Sequence, residues 1–68
     1  MNEKLKQTIA VKEANRSTII DQIVESFEFI EREASMGCFD ELNRTLDLCM
    51  ILHKLNTQIN TLRQVLNE

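Results

Sequence analysis

The sequence predicts an all-α protein: an antiparallel helical hairpin with a long second helix, preceded by a short N-terminal helix that frays. Three observations predict it. The 68-residue chain holds no proline and a single glycine, Gly37, so little along it interrupts a helix. Strand-favouring aromatics are scarce, with three Phe and neither Tyr nor Trp. Apolar residues recur at steps of three and four on both sides of Gly37, which is the period of a helix face.

Residues 1–16 form the N-terminal segment. Leu5 and Ile9 would extend the apolar stripe that follows, but a straight helix would bring Lys12, Glu13 and Arg16 onto the apolar side. Ser17 is a cap candidate, and Thr18 with Asp21 three residues on resembles a capping box. A break or polar gap is therefore expected from Asn15 to Thr18. The firm first helix should span 17–36. Its apolar face is Ile20, Ile23, Phe27, Ile30 and Ala34, widened by Ile19 and Val24. Asp21, Glu25, Glu28, Arg32 and Ser35 face the other way, and Phe29 and Met36 fall off the stripe.

Gly37 suits a helix C-cap, where a residue with positive φ ends the helix cheaply. The turn is expected over 37–40, with Asp40 capping the next helix. So short a connection makes the helices antiparallel neighbours. The second helix should span 41–67 and carries two apolar faces. Leu42, Leu46, Cys49 and Met50 lie on one side; Leu48, Leu52, Leu55, Ile59, Leu62 and Leu66 lie nearly opposite. One helical neighbour covers one stripe, so the other face calls for a further chain. The leucine stripe, Leu48 to Leu66, is the expected partner-binding surface, with Leu52, Leu55, Ile59 and Leu62 as anchors. The alternative is that this stripe is only the intramolecular core. Asn56 flanks it as a solvated edge or, in an interface, as a register-setting residue.

A single small domain of this length is marginal alone and gains from a disulfide, a metal or a partner. Cys38 and Cys49 are the only cysteines, and with His53 they lack paired metal-ligand spacing, so no metal or cofactor is expected. The start, Met1 to Lys6, is charged and leads into no apolar core, so no signal peptide is expected. The longest apolar run, Leu48 to Leu52, is too short for a membrane span. Net charge runs +2 over residues 1–16, −6 over 17–41 and +1 over 42–68. The acidic middle would repel phosphates, and no basic stripe marks a nucleic-acid binder. The acid-rich stretch from Asp21 to Glu41 has no calcium-loop spacing and reads as a solvated helix face.

Catalysis is not expected. His53 lies four residues beyond Cys49 and could serve it as a base, but no orienting third group is visible, so a surface histidine is the plainer reading. Cys38, in the turn, is expected to be the more exposed thiol, and Cys49 a small hydrophobe on an apolar face.

The stretch Ile30-Glu31-Arg32-Glu33-Ala34-Ser35-Met36-Gly37, then Phe39-Asp40-Glu41-Leu42 and the run Leu48 to Leu66, resembles the small co-chaperones of the type III secretion needle subunit. The resemblance covers about two thirds of the chain, from Ile20 on, as a pattern of lengths and apolar positions. It implies a helical hairpin in the bacterial cytoplasm, without catalysis. It further implies pairing with a chaperone of tetratricopeptide-like helices, to keep the needle subunit soluble. Two rival readings use the same residues. One is a self-associating bundle of two hairpins. The other is a small phage or bacterial inhibitor whose acidic first helix blocks a basic site.

Overall fold

The computed structural model describes residues 2–33 and 37–67. Two helices, α1 (Asn2–Glu33) and α2 (Phe39–Asn67), pack side by side in antiparallel fashion. The all-α hairpin expected from the helical period is present. The molecule is a rod of 52 × 14 × 13 Å, close to the roughly 48 Å that 32 residues span at the α-helical rise.

At the turn, Gly37 has φ of 69°, which β-carbon sterics make costly for other residues. Its carbonyl accepts from the Phe39 amide at 2.8 Å, and the Cys38 carbonyl accepts from the Leu42 amide at 2.9 Å. That second bond opens α2, so Cys38 caps it and Asp40 sits in the first turn instead. The Cys38 thiol donates back to the Glu33 carbonyl of α1 at 2.9 Å. One residue thus ties both helix ends. The proposed helix over 34–36, with Ala34 and Met36, lies outside the described residues.

Three expectations change. The break near Asn15 to Thr18 does not form, and α1 runs through it. Thr18 does not cap, and its hydroxyl donates to the Ala14 carbonyl one turn earlier. The α1 face also differs. Ile19, Ile23, Ser26 and Ile30 turn towards α2, while Ile20 and Phe27 are exposed.

A strict seven-residue pattern explains all three. Along α1 the covered positions are Leu5, Ile9, Lys12, Arg16, Ile19, Ile23, Ser26, Ile30 and Glu33; along α2 they are Glu41, Thr45, Leu48, Leu52, Leu55, Ile59, Leu62 and Leu66. Both sets step by three and four without a fault, the seam of a two-stranded coiled coil. The hydroxyls of Ser26 and Thr45 meet across the seam. Stepping outward from that pair in opposite directions sets Ile23 against Leu48, Ile19 against Leu52, Ile9 against Leu62 and Leu5 against Leu66.

Between these apolar layers lies the segment expected to break. Here the seam positions are Lys12 and Arg16, and α2 supplies their partners. Lys12 Nζ donates to Gln58 Oε1 at 2.9 Å, and an Arg16 guanidinium nitrogen donates to Asn56 Oδ1 at 3.1 Å. Beside them, Arg63 bridges to Glu13 at 2.8 Å. The charged heads reach the edge of the seam while their alkyl stems lie along it, and Ile59 beneath is wholly inaccessible.

Candidate interaction surface

Each helix offers two edges beside its seam. The Glu13–Arg63 pair identifies which edges lie together, because both residues follow directly after a seam position, Lys12 and Leu62. Continuing that edge towards the turn brings Ile20 and Phe27 of α1 to the same side of the hairpin as Leu42 and Cys49 of α2. Val24, four beyond Ile20, and Leu46, four beyond Leu42, widen it outward, as do Phe39 and Met50.

All of these are exposed. Phe27 is 54% accessible, Leu46 63%, Met50 71% and Phe39 74%. The flank is therefore an apolar strip two helices wide over the half of the rod near the turn. The half near the chain ends carries Glu13, Arg16, Asn56 and Arg63 on that edge. Leu46, Cys49, Met50 and His53 line a shallow depression on the strip. Water in contact with so much apolar surface is released when another surface covers it.

The opposite edge near the turn is mainly polar, with Phe29 of α1 and Ile51 of α2 its exposed apolar residues. Gln22, Glu25, Glu28, Phe29, Arg32, Glu41 and Arg44 surround a depression there. Beneath it lies the buried polar cluster of the seam. Ser26 donates to a Glu41 carboxylate oxygen and meets Thr45, whose hydroxyl also reaches the Glu41 carbonyl at 2.8 Å. Each hydroxyl has one proton to give. Ser26 gives its proton to the carboxylate, and Thr45 divides its single proton between the Glu41 carbonyl and the Ser26 oxygen.

The six residues expected to bind a partner lie on the seam face of α2, beside this strip and not in it. Leu48 and Ile59 are buried against α1, and Leu52, Leu55, Leu62 and Leu66 are half-buried along the same seam. The structure brings them together as one continuous stripe, already covered in the hairpin by α1. The second α2 face, Leu42, Leu46, Cys49 and Met50, is the one left open. Apolar spacing assigns Ile20, Val24 and Phe27 to the core, which hides the α1 half of the strip. The signal that would have found it is the unbroken seven-residue frame, in which Ser26, and not Phe27, is a seam position.

His53 and Cys49 are both exposed, and Cys38 is half-buried, so the order of thiol exposure is the reverse of that expected. Among the described residues, no three His, Cys, Asp or Glu side chains are grouped to hold a metal ion, and no helix is long and apolar enough to cross a membrane. The chain matches no protein-family model, and no curated protein or solved structure is significantly similar to it.

Proposed function

We propose that this chain is a non-enzymatic protein-binding module that docks through the apolar flank beside its turn. The observation that supports this is the strip itself: Ile20, Val24 and Phe27 on α1 lie beside Leu42, Leu46 and Met50 on α2, all exposed on one edge. Large side chains at the centre of such a strip dominate affinity, and Phe27 and Leu46 are the anchors. The leucine stripe of α2 acts earlier, by closing the hairpin that presents the strip.

The test separates these roles. Tagged wild-type chain retains a stoichiometric partner, whether another chain or a second copy, and Leu46→Asp loses it while keeping wild-type helicity by circular dichroism. Leu55→Asp, in the seam, loses helicity as well. Retention of the partner by Leu46→Asp would overturn the proposal.

The co-chaperone reading is the narrower form. In it the strip lies in the groove of a tetratricopeptide-like chaperone in the bacterial cytoplasm, and the pair holds a needle subunit soluble. A groove that accepts amphipathic helices suits a strip made of helix edges. It predicts a one-to-one complex on co-expression with such a chaperone, broken by Leu46→Asp.

A further inference from the structure

We infer that the occupant of the apolar strip is a second copy of this chain, forming a two-fold four-helix bundle in which α1 of one hairpin packs on α2 of the other and both turns lie at the same end. The inference rests on the docking-flank reading above and names its partner.

The hairpin exposes 5346 Å², whereas a folded monomer of 7.9 kDa exposes about 4,400 Å². The excess, roughly 900 Å², is close to the ~800 Å² that one partner contributes to a standard interface. The radius of gyration says the same: 15.6 Å against about 11 Å for a globular domain of this length. Joining two such rods side by side removes the excess from both at once.

Across the strip, Ser17, Ile20, Val24 and Phe27 on α1 and Phe39, Leu42, Leu46, Cys49 and His53 on α2 include no acidic residue, lysine or arginine, and Glu31, one turn beyond Phe27, puts an acid at its turn end. From Ser17 to Phe27, two copies of the strip therefore meet without like-charge contact. The rows that border it differ between the helices. On α1 the bordering row carries Asp21 and Glu28; on α2 it is Asn43, Met50 and Thr57, where Met50 continues the apolar surface, and the next row holds Asp40, Asp47 and Lys54. Packing α1 on its own copy would oppose the acids of one bordering row to those of the other, whereas packing α1 on the partner's α2 opposes them to the neutral row.

The strip occupies only the half of the rod near the turn. A two-fold axis running parallel to the helices superimposes the two strips over their full length and puts both turns at one end. That same axis sets α1 opposite the partner's α2, as the bordering charges favour. An axis perpendicular to the helices through the middle of the strips would set α1 on α1 and leave the polar halves, with Glu13, Arg16 and Arg63, projecting at opposite ends. Charge thus selects the first arrangement, which also brings the full length of both rods together and is self-complementary, as a two-fold interface must be.

Sedimentation equilibrium across a dilution series tests the inference on the full chain. The expected result is a reversible monomer–dimer equilibrium. Phe27→Asp and Leu46→Asp each raise the dissociation constant by more than about 30-fold with helicity unchanged. Ile51→Asp, an exposed apolar position on the other edge, leaves it unaltered. A monomer at every concentration, a larger oligomer, or a dimer indifferent to both strip substitutions would overturn it. A monomer that still binds another chain through Leu46 removes the second copy and keeps the docking flank, so the two readings fail separately. Orientation is read from spin labels at Gln64→Cys, with both native cysteines replaced by alanine. A separation well below the length of the rod is expected; one approaching that length would overturn the shared-end arrangement.

Discussion

Single residues show how little apolar material the hairpin has to spare. Ile59 is the only wholly inaccessible large apolar side chain among the described residues. Ile59→Ala should cost about 3 kcal/mol, the loss of buried methyl groups plus the space left behind, read as a lower urea midpoint. Ser26 is nearly inaccessible yet bonds twice. Ser26→Ala should cost about 1 kcal/mol, because Thr45 and Glu41 lose a partner inside the seam. Gly37→Ala tests the turn. A methyl group there meets the Phe39 ring at 3.5 Å, an ordinary contact, so the cost of about 1 kcal/mol comes from the backbone angle alone. A larger loss in unfolding experiments would mean that the turn also holds the helices in register.

At the level of the helix, the central polar layer carries the tension. Lys12 and Arg16 occupy seam positions opposite Ile59 and Leu55, where two apolar residues would bury more surface. Their bonds to Gln58 and Asn56, together with Glu13 and Arg63, are partly exposed, and exposed ion pairs contribute at most about 1 kcal/mol. Their effect is on register. Sliding α2 by one heptad would leave Lys12 and Arg16 facing leucines without amide partners. The expected outcome for Arg16→Leu is a higher thermal midpoint with looser register, seen as broadened amide spectra despite greater stability. The same layer explains why the sequence pattern places a break at Asn15 to Thr18 that the fold does not have. Periodicity treats Lys12, Glu13 and Arg16 as a defect, yet their partners lie 40 to 50 residues away in sequence. No local window contains both halves of that arrangement.

For the whole molecule the governing fact is shape. Two helices can cover one stripe of each other, and a rod one pair thick has no interior beyond that seam. Every apolar residue outside it must face solvent or another chain. The strip beside the turn is the only place where such residues gather from both described helices. Stability should therefore depend on concentration if the strip closes on a second copy. The thermal midpoint should rise as the protein is concentrated, and Leu46→Asp should abolish that rise while leaving the dilute midpoint unchanged. A concentration-independent midpoint for the wild type would contradict the dimer directly.

The amino-acid sequence alone determined the helical class, the turn at Gly37 and the two apolar faces of α2. These depend on local properties: absence of breakers, backbone freedom at one glycine, and a repeat of three and four. Tertiary structure decided which face each helix turns inward. Ser26 and Phe27 are one position apart, about 100° on a helix, and an apolar count favours the phenylalanine. The hydroxyl contact with Thr45 and the partners of Lys12 and Arg16 favour the serine's frame instead. That choice rotates Ile20, Val24 and Phe27 out of the core, and it depends on pairing between distant residues.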